Sequence, residues 1–337
     1  MKIAFLMGLT ISGNSNGVKR QAETWANGLI ELGHQVEFVS PWCQYDWPSF
    51  DIIHVFGFGT WLEIVPAIAE RTNAKIVISP IIDTDRNHFL HKCASHFGVR
   101  ALHMTSPLNS LRRIGKHVSM YYARSEYESQ YLVRSFDVDP AKIEKIPLSC
   151  RLKQVEITAQ KRANFCLHVS ILSSKNKNVE RLIAAAIKFN FDLVLAGSAG
   201  TKQFERELRA RIRNHKNITY LGFLPDEELI ALYSKAKVFA LPSLFEGVGL
   251  VALEAAALGA DIVLTNRGAP KEYYNNMAFL VDPDNIDEIG LSIVDVISGH
   301  THQPDLSSFV LNNYKNERIV KYLERSYLEL SDKYREV

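Results

Sequence analysis

Residues 241–259 contain side chains whose types and spacing suit a diphosphate flanked by hydroxyl groups. Seven residues separate Glu246 from Glu254, and Gly247 and Gly249 lie where an apolar strand gives way to a helix. The first amides of a helix have no partner within it, and the helix dipole adds positive charge there, so an anion binds well. Glycine removes the side chains that would block its approach.

The two carboxylates suit the hydroxyls rather than the phosphates. Like charges repel, whereas a carboxylate accepts hydrogen bonds from hydroxyl groups. A nucleotide sugar has hydroxyls on its ribose and on its sugar, on either side of the pyrophosphate, and therefore fits this arrangement. The alternative is that Glu246 and Glu254 are solvated residues at a helix end. The agreement of strand, loop, glycines and helix favours the binding site.

The first half of the chain holds candidates for an acceptor site. His54, in an apolar strand, and His88, further along the chain, could line an acceptor site. Lone histidines are, however, more often structural or exposed. Residues 86–124 include seven lysines or arginines, Arg112 and Arg113 among them, and no acidic residue. Such a segment attracts a phosphate-linked lipid carrier or an acidic membrane surface. It is equally consistent with a helix that packs on a sheet and has a solvated basic face.

Other ligand classes are poorly supported. Asp-x-Asp pairs, which bind a divalent metal in some enzymes, begin at Asp83, Asp137 and Asp282, so the pattern is too common to indicate a metal site. No metal is expected if helix amides and lysines neutralise the phosphates. The loop from Gly13 to Gly17 lacks the glycine spacing of a dinucleotide fingerprint. Nucleic acid is not expected, because the few aromatics of the basic segment suit a core better than base stacking.

Strands alternate with helices through both halves of the chain. In the first half, a helix is predicted from Val18 to about Leu32, and strands are predicted at residues 2–7, 36–40, 52–56, 75–79, 119–123 and 143–147. In the second half, strands are predicted at residues 165–169, 191–196, 218–221, 238–241, 261–265 and 279–281. Helices are predicted between them at residues 178–189, 203–213, 226–234 and 249–258, with a last amphipathic helix at 313–334. This alternation predicts parallel sheets with helices on both faces.

The length of 337 residues fits two domains of about 150 residues each. A polar stretch, residues 151–164, predicts an interdomain linker. We therefore expect an α/β protein with one Rossmann-like domain at residues 1–150, a second at 165–310, and a C-terminal segment at 311–337. Two doubly wound domains that face each other form a cleft, and open sheets bind ligands at the carboxyl ends of their strands.

Composition points to a globular intracellular protein. Hydrophobic residues make up 47% of the chain and the formal net charge is +2, so disorder is not expected. The four cysteines have neither metal-ligand nor redox spacing, which fits a reducing compartment. No signal peptide or membrane-spanning run is evident. We expect a cytoplasmic protein, with association with the inner face of the cell membrane left open.

The motif from Glu246 to Glu254 resembles the E-x7-E motif of retaining glycosyltransferases with the GT-B fold, glycosyltransferase family 4. The resemblance is specific in the second domain and loose in the first. It also covers Lys177-Asn178 and the stretches at 192–197, 218–225, 259–263, 268–272 and 279–283, with residues 13–17, 33–36 and 51–54 in the first domain. It implies a sugar transfer from a nucleotide diphosphate sugar, such as a UDP- or GDP-hexose, to a glycan or polyprenyl-phosphate-linked acceptor.

The resemblance also implies roles for individual residues. Glu246 would hold hydroxyls of the donor sugar and Glu254 those of the ribose. The pyrophosphate would meet amides around Gly249 and Leu250 and the charge of Lys177. Other donor-side candidates are Gly247, Gly197 and Lys175, and a phosphate and acceptor loop would include Gly13, Asn14 and Gly17. The final helix would cross back to the first domain.

The chain departs from the family pattern at three places. An arginine common before the Lys-Asn pair is replaced in the stretch ending at Ile171, where Lys175 either supplies the charge or is a plain solvated lysine. The Asn-Gly usual at the domain junction is Leu148-Ser149-Cys150, and the second glycine of a pair is Ala269. Two alternatives therefore stay open: a nucleotide-sugar-binding protein without turnover, and a sugar epimerase or phosphorylase of the same fold.

Overall fold

The computed structural model describes residues 1–8, 17–97, 106–152 and 162–332. The chain forms two compact units: unit 1 consists of Met1–Ser149 and Asn316–Val337, and unit 2 of Cys150–Lys315. Most of the expected linker, residues 153–161, lies outside the described residues. Arg151, which was expected in that linker, belongs to unit 2.

Unit 1 begins as a doubly wound α/β unit. Its six strands are β1 (Lys2–Met7), β2 (Gln35–Phe38), β3 (Ile52–Phe56), β4 (Lys75–Ser79), β5 (Met120–Ala123) and β6 (Ile143–Lys145). The helices between them are α1 (Gly17–Glu31), α2 (Val65–Ala69), α3 (His88–His96), α4 (Pro107–Ile114) and α5 (Glu126–Phe136). All neighbouring strands are parallel, in the order β2-β1-β3-β4-β5-β6.

Unit 2 has the same class of architecture. Its strands are β7 (Ala163–Val169), β8 (Asp192–Ala196), β9 (Ile218–Gly222), β10 (Ala236–Leu241), β11 (Asp261–Thr265) and β12 (Phe279–Val281). Its helices are α6 (Val179–Phe189), α7 (Lys202–Ile212), α8 (Asp226–Lys235), α9 (Leu250–Ala257), α10 (Pro270–Tyr273), α11 (Ile286–Ser298) and α12 (Asp305–Tyr314). The parallel strand order is β12-β11-β10-β7-β8-β9. The predicted α/β class with two parallel sheets is confirmed.

Strand order creates a switch point in each sheet. In unit 2 the chain builds outward from β7 through β8 to β9, and then returns to add β10 on the other side of β7. In unit 1 the corresponding reversal lies between β1 and β3. The loops that leave two adjacent strands at a switch point run in opposite directions, and the crevice between them is where open sheets bind ligands.

The last predicted helix is interrupted. Lys315 has extended backbone, with φ −57° and ψ 137°, so α12 ends at Tyr314 and a separate helix, α13 (Asn316–Asp332), follows. The apolar stripe of α13 is buried in unit 1, where Ile319, Val320, Leu323 and Tyr327 pack with Trp25 and strand residues. Burial of this stripe makes α13 part of the unit 1 core.

Candidate functional site

The switch point of unit 2 brings together a lysine and a glutamate that are 69 positions apart. Lys177 ends a short 3₁₀ turn, Lys175–Lys177, that follows β7, and Glu246 lies in the loop that follows β10. Lys177 Nζ donates to Glu246 Oε2 at 2.7 Å, and Ser243 Oγ donates to the same oxygen at 2.9 Å. The Glu246 side chain is 9% exposed and that of Lys177 26%, so this charge pair is largely desolvated.

Two asparagines hold the loops that carry this pair. Asn176 exchanges side-chain hydrogen bonds with the backbone of Phe245, at 2.9 and 3.2 Å. Asn178 donates from Nδ2 to the carbonyls of Pro242 and Pro283, at 2.9 and 2.7 Å. Buried amide groups that satisfy loop carbonyls restrict the backbone. The Lys177–Glu246 geometry is therefore set by the fold rather than by two mobile surface chains.

The loop after β10 ends at the start of α9. Gly249 has φ +84°, a left-handed conformation that glycine adopts without steric cost, and Leu250 is the first helical residue. Gly247 and Gly249 are buried and Leu250 is partly exposed. Since the first amides of a helix have no partner within it, the N-terminus of α9 offers hydrogen-bond donors to an anion beside Glu246.

Glu254 lies on α9 and is 0% exposed. Arg151 Nε donates to Glu254 Oε1 at 2.6 Å, and Arg151 Nη1 donates to Asp226 Oδ2 at 2.6 Å. Burial lowers the pKa of Arg151, but the two carboxylates outweigh it and raise that pKa above its ordinary value. The buried carboxylate is therefore compensated by a fixed positive charge.

His168 lies beneath the switch point and joins its two strands. Nδ1 lies 2.8 Å from the Ala240 carbonyl oxygen and Nε2 lies 2.7 Å from Ser170 Oγ. A carbonyl oxygen only accepts, so the proton is on Nδ1 and Nε2 accepts from the serine. Burial, followed by the nearby charge of Lys177, lowers the pKa of His168 to about 4. The imidazole is neutral at neutral pH.

The other donor-side candidates have different surroundings. Gly197 follows β8 with φ +115°, and a Cβ there would lie 2.0 Å from the Ser170 carbonyl oxygen, so the position requires glycine. Lys175 is exposed. Gly13 and Asn14 lie outside the described residues, and Gly17 is the exposed first residue of α1.

The structure contradicts His54 as an acceptor-side residue. Its side chain is 0% exposed, with Nδ1 2.5 Å from Tyr327 Oη and Nε2 2.8 Å from Ser79 Oγ. The ring stacks on Phe56 with centroids 4.0 Å apart. Burial lowers the pKa of His54 well below its ordinary value, so it is a neutral core residue that ties β3 to α13. An acceptor cannot touch it in this structure.

Four of the basic side chains at residues 86–124 pair with acids from elsewhere in unit 1. Lys92 and Arg112 pair with Asp137 at 2.5 and 3.0 Å, and Arg113 pairs with Glu63 at 3.1 Å. Further pairs join Arg124 to Asp83 and Glu128 at 2.8 and 3.0 Å. Absence of acidic residues from the segment itself was therefore a poor guide to its charge. Arg112 and Arg113 have structural partners.

The surface around His88 carries exposed apolar side chains. His88 is partly buried, with Nδ1 3.1 Å from Ser135 Oγ, and burial lowers its pKa. Phe89, Leu90 and Phe97 are 70%, 64% and 76% exposed. Within the described residues, no helix is both long and apolar enough to cross a bilayer.

Four residues near Glu246 and Glu254 were missed from the sequence: Ser243, Arg151, His168 and Asn176. Ser243 is three positions from Glu246 and could have been noticed there. Arg151 and Glu254 are 103 positions apart, and no local pattern joins them. Only the pairing of β7 with β10 places His168 and Asn176 beside the motif.

Comparison with known proteins gives a family match within the second unit. Residues 152–313 match the family glycosyl transferases group 1. An O-antigen chain mannosyltransferase B from Escherichia coli is 30% identical over 137 residues, 39% of this chain and 36% of that protein. A GDP-mannose-dependent monoacylated alpha-(1-6)-phosphatidylinositol monomannoside mannosyltransferase from Corynebacterium glutamicum is 24% identical over 213 residues, 56% of this chain and 55% of that protein. The chain thus spans about a third to a half of these relatives.

The fold itself is shared along nearly the whole chain. A crystal structure of a glycosyltransferase from Rickettsia africae superposes with a TM-score of 0.73, covering 97% of this chain and 98% of that one. The two sequences are 18% identical, so this likeness concerns the fold alone. The two parallel sheets therefore form a GT-B fold.

Proposed function

We propose that this chain is a hexosyltransferase, because residues 152–313 match the glycosyl transferases group 1 family. It transfers a sugar from a nucleotide diphosphate sugar to a glycan or a lipid-linked acceptor in the synthesis of a cell-surface polysaccharide or glycolipid. The observation that carries the proposal is the Lys177–Glu246 pair at 2.7 Å, desolvated beside the first amides of α9. This arrangement offers an acceptor for sugar hydroxyls and donors for a diphosphate within one crevice.

Each group has a distinct task in the proposed reaction. Glu246 accepts hydrogen bonds from donor-sugar hydroxyls, and Ser243 and Lys177 hold its carboxylate in place. The departing nucleotide diphosphate gains negative charge as the glycosidic bond breaks, and the amides at Gly249 and Leu250, with Lys177, stabilise that charge. Glu254 holds the ribose. These donors neutralise the diphosphate without a metal, and retention of the anomeric configuration follows the family resemblance.

Unit 1 is proposed to supply the acceptor site. A lipid-linked acceptor would be met at the inner face of the cell membrane, and exposed Phe89, Leu90 and Phe97 are suited to an interfacial contact. Sedimentation with anionic vesicles tests this contact, and a chain that stays in the supernatant at low salt counts against it. Both relatives are named as mannosyltransferases and one as GDP-mannose-dependent, which makes GDP-mannose the first donor to test.

The purified chain is incubated with GDP-mannose, UDP-glucose, UDP-galactose and ADP-glucose, with and without a glycan and polyprenyl-phosphate acceptor mixture. We expect acceptor-dependent release of one nucleotide diphosphate, undiminished by EDTA. Binding of a nucleotide without release under every condition would favour a binding protein. Release that requires free phosphate would indicate a phosphorylase, and conversion of the sugar without acceptor an epimerase.

A further inference from the structure

Helix α3 has its polar side chains turned toward unit 1 and its apolar side chains turned toward solvent. Phe89, Cys93 and Phe97 follow one another at every fourth position, which places them along one side of a helix. Phe89, Leu90 and Phe97 are 70%, 64% and 76% exposed, and Cys93 is partly exposed. A surface helix ordinarily buries its apolar side, so α3 has the reverse orientation.

Hydrogen bonds hold the inward side of α3 against α4 and α5. His88 Nδ1 lies 3.1 Å from Ser135 Oγ, and His91 Nδ1 lies 2.6 Å from Tyr131 Oη. The carbonyl of buried Ser95 accepts a hydrogen bond at 2.9 Å from a side-chain amide of α4. Turning α3 over would break these bonds and leave buried polar groups without partners. The fold therefore fixes the apolar side of α3 toward solvent.

Positive charge predominates around α3. Within the described residues, four cations and two carboxylates belong to its ion pairs or act on the side chains at its inward side: Arg86, Lys92, Arg112, Arg134, Asp85 and Asp137. Lys92 and Arg112 share the single carboxylate of Asp137. Arg86 and Arg134 are exposed. An apolar stripe with a net positive surrounding is complementary to a bilayer that contains anionic lipids.

A second copy of this chain fits the stripe less well than a bilayer does. A two-fold contact would place Arg86 and Arg134 near the same cations of the other copy, and like charges repel. The stripe consists of four side chains, whereas a stable protein interface takes roughly 20 to 30 residues on each side. A bilayer requires no such minimum, because each apolar side chain that enters it contributes separately.

We propose that α3 docks unit 1 on an anionic membrane by inserting Phe89, Leu90, Cys93 and Phe97 at the boundary between headgroups and acyl chains. The inference rests on the proposed function and names the partner of its acceptor side as a bilayer with anionic lipids. Apolar insertion supplies the binding, and the cations select the lipid. This contact differs from the one that the basic segment predicts, which charge alone would hold and salt would abolish.

The test separates apolar insertion from charge. Co-sedimentation measures binding of the purified chain to vesicles of phosphatidylcholine, alone or with about one third phosphatidylglycerol, at low and high salt. Leu90→Asn removes an apolar side chain from the stripe without a change of charge. Leu291→Asn is the matched control, since Leu291 lies on α11 of unit 2 and is 58% exposed. Arg86→Gln removes one cation and keeps the stripe.

We expect the wild type and Leu291→Asn to bind the anionic vesicles equally, and Leu90→Asn to bind them about tenfold more weakly at both salt concentrations. Arg86→Gln should lose about fivefold in affinity for the anionic vesicles at low salt and little for phosphatidylcholine alone. Wild-type binding should weaken at high salt and persist.

Three results would overturn the docking of α3: no vesicle binding by the wild type, unchanged binding by Leu90→Asn, or complete loss of wild-type binding at high salt. Equal binding to both kinds of vesicle would overturn lipid selection by the cations. A dimer that forms without vesicles and is lost in Leu90→Asn would assign the stripe to a second copy instead.

Nucleotide release without vesicles keeps this inference separable from the proposed function. A chain that releases nucleotide in solution and binds no vesicle refutes the docking alone. A chain that binds vesicles through Leu90 and never releases nucleotide supports the docking and refutes the transferase.

Discussion

The switch points of the two sheets contain different kinds of residue. In unit 2, charged and polar side chains from two loops meet in a desolvated crevice, where Lys177 and Ser243 hold Glu246. In unit 1, glycine and tryptophan meet: a Cβ on Gly8 would lie 2.6 Å from Trp61 Nε1, and one on Gly59 2.7 Å from Trp61 Cδ1. Among the described residues, which leave out 9–16 after β1, the switch point of unit 2 therefore has charged side chains and that of unit 1 has a tryptophan against two glycines.

The contrast extends to the polar residues of each unit. Of the glutamates singled out in unit 2, Glu246 lies just before α9 and Glu254 within it, whereas His54, Arg112 and Arg113 of unit 1 have core or ion-pair partners. A reactive residue type indicates a site when a loop at a switch point carries it. Inside a strand or on the outer face of a helix, the same type usually has a structural partner.

The largest expected effect is that of Glu246→Gln on turnover. Loss of the carboxylate that holds sugar hydroxyls lowers kcat/KM several hundred-fold, about 3.5 kcal/mol of transition-state stabilisation. Nucleotide release measures it, with exposed Glu205→Gln as the control. A variant with wild-type turnover would remove the distinction between the two units, because Glu246 would then be structural too.

His54→Ala is expected to act on stability instead. It leaves a cavity and two unsatisfied hydroxyls, Tyr327 Oη and Ser79 Oγ, and costs unit 1 about 3 kcal/mol of unfolding free energy. All four tryptophans belong to unit 1, so tryptophan fluorescence during denaturation reports on that unit. Nucleotide binding by His54→Ala should be unchanged. The control variant His88→Ala, at a partly buried position, should lower the unfolding free energy of unit 1 by less. Normal stability with a raised acceptor KM would return His54 to the acceptor site.

Acidification should weaken unit 2 through His168. Its folded pKa of about 4 lies below the ordinary value, so the unfolded chain takes up the proton first and stability falls as pH drops from about 6.5 toward 4. Between pH 7.5 and pH 5 the loss is about 2 kcal/mol. Hydrogen exchange of peptides from β7 and β10 measures it, and His168→Gln should remove most of the slope. An unchanged slope in that variant would assign the pH dependence to other groups.

The smallest effect is expected for Arg112→Gln and Arg113→Gln. The side chains of the Arg113–Glu63 pair are 31% and 33% exposed, and exposed pairs of this kind contribute less than about 1 kcal/mol. The unfolding free energy of unit 1, measured by tryptophan fluorescence during denaturation, and the KM for the acceptor should both stay close to the wild-type values. A tenfold rise in acceptor KM would place these arginines in an acceptor site and weaken the contrast between the units.

Most of the fold could be predicted from local pattern. Parallel strands that are buried on both faces appear as short apolar runs, and β3, β4, β11 and β12 have the predicted bounds. The break at Lys315 was missed, because the apolar stripe of α13 continues the periodicity of the residues before it and Lys315 is a normal helix former. Its extended backbone is a tertiary requirement where the chain passes back into unit 1.

The donor-side motif was visible because its parts lie within one strand, loop and helix. Gly247, Gly249 and both glutamates fall within a single stretch of sequence, where spacing is informative. The acceptor-side candidates of unit 1, such as His54 and Arg112, do not lie together in one informative stretch of sequence. Burial and ion pairing depend on distant partners such as Asp137 and Tyr327, which composition does not reveal.

The spacing of hydrophobic residues, the positions of glycines and the spacing of the two glutamates are local properties of the sequence. They were sufficient to predict two parallel α/β units and an anion-binding helix N-terminus. Pairing of β7 with β10 is not local, and it decides which charges meet: Lys177 with Glu246 across 69 positions and Arg151 with Glu254 across 103. Burial then decides how each group behaves. It makes His54 and His168 neutral, because desolvation penalises a charge without a partner, whereas buried Glu254 has Arg151 as its partner.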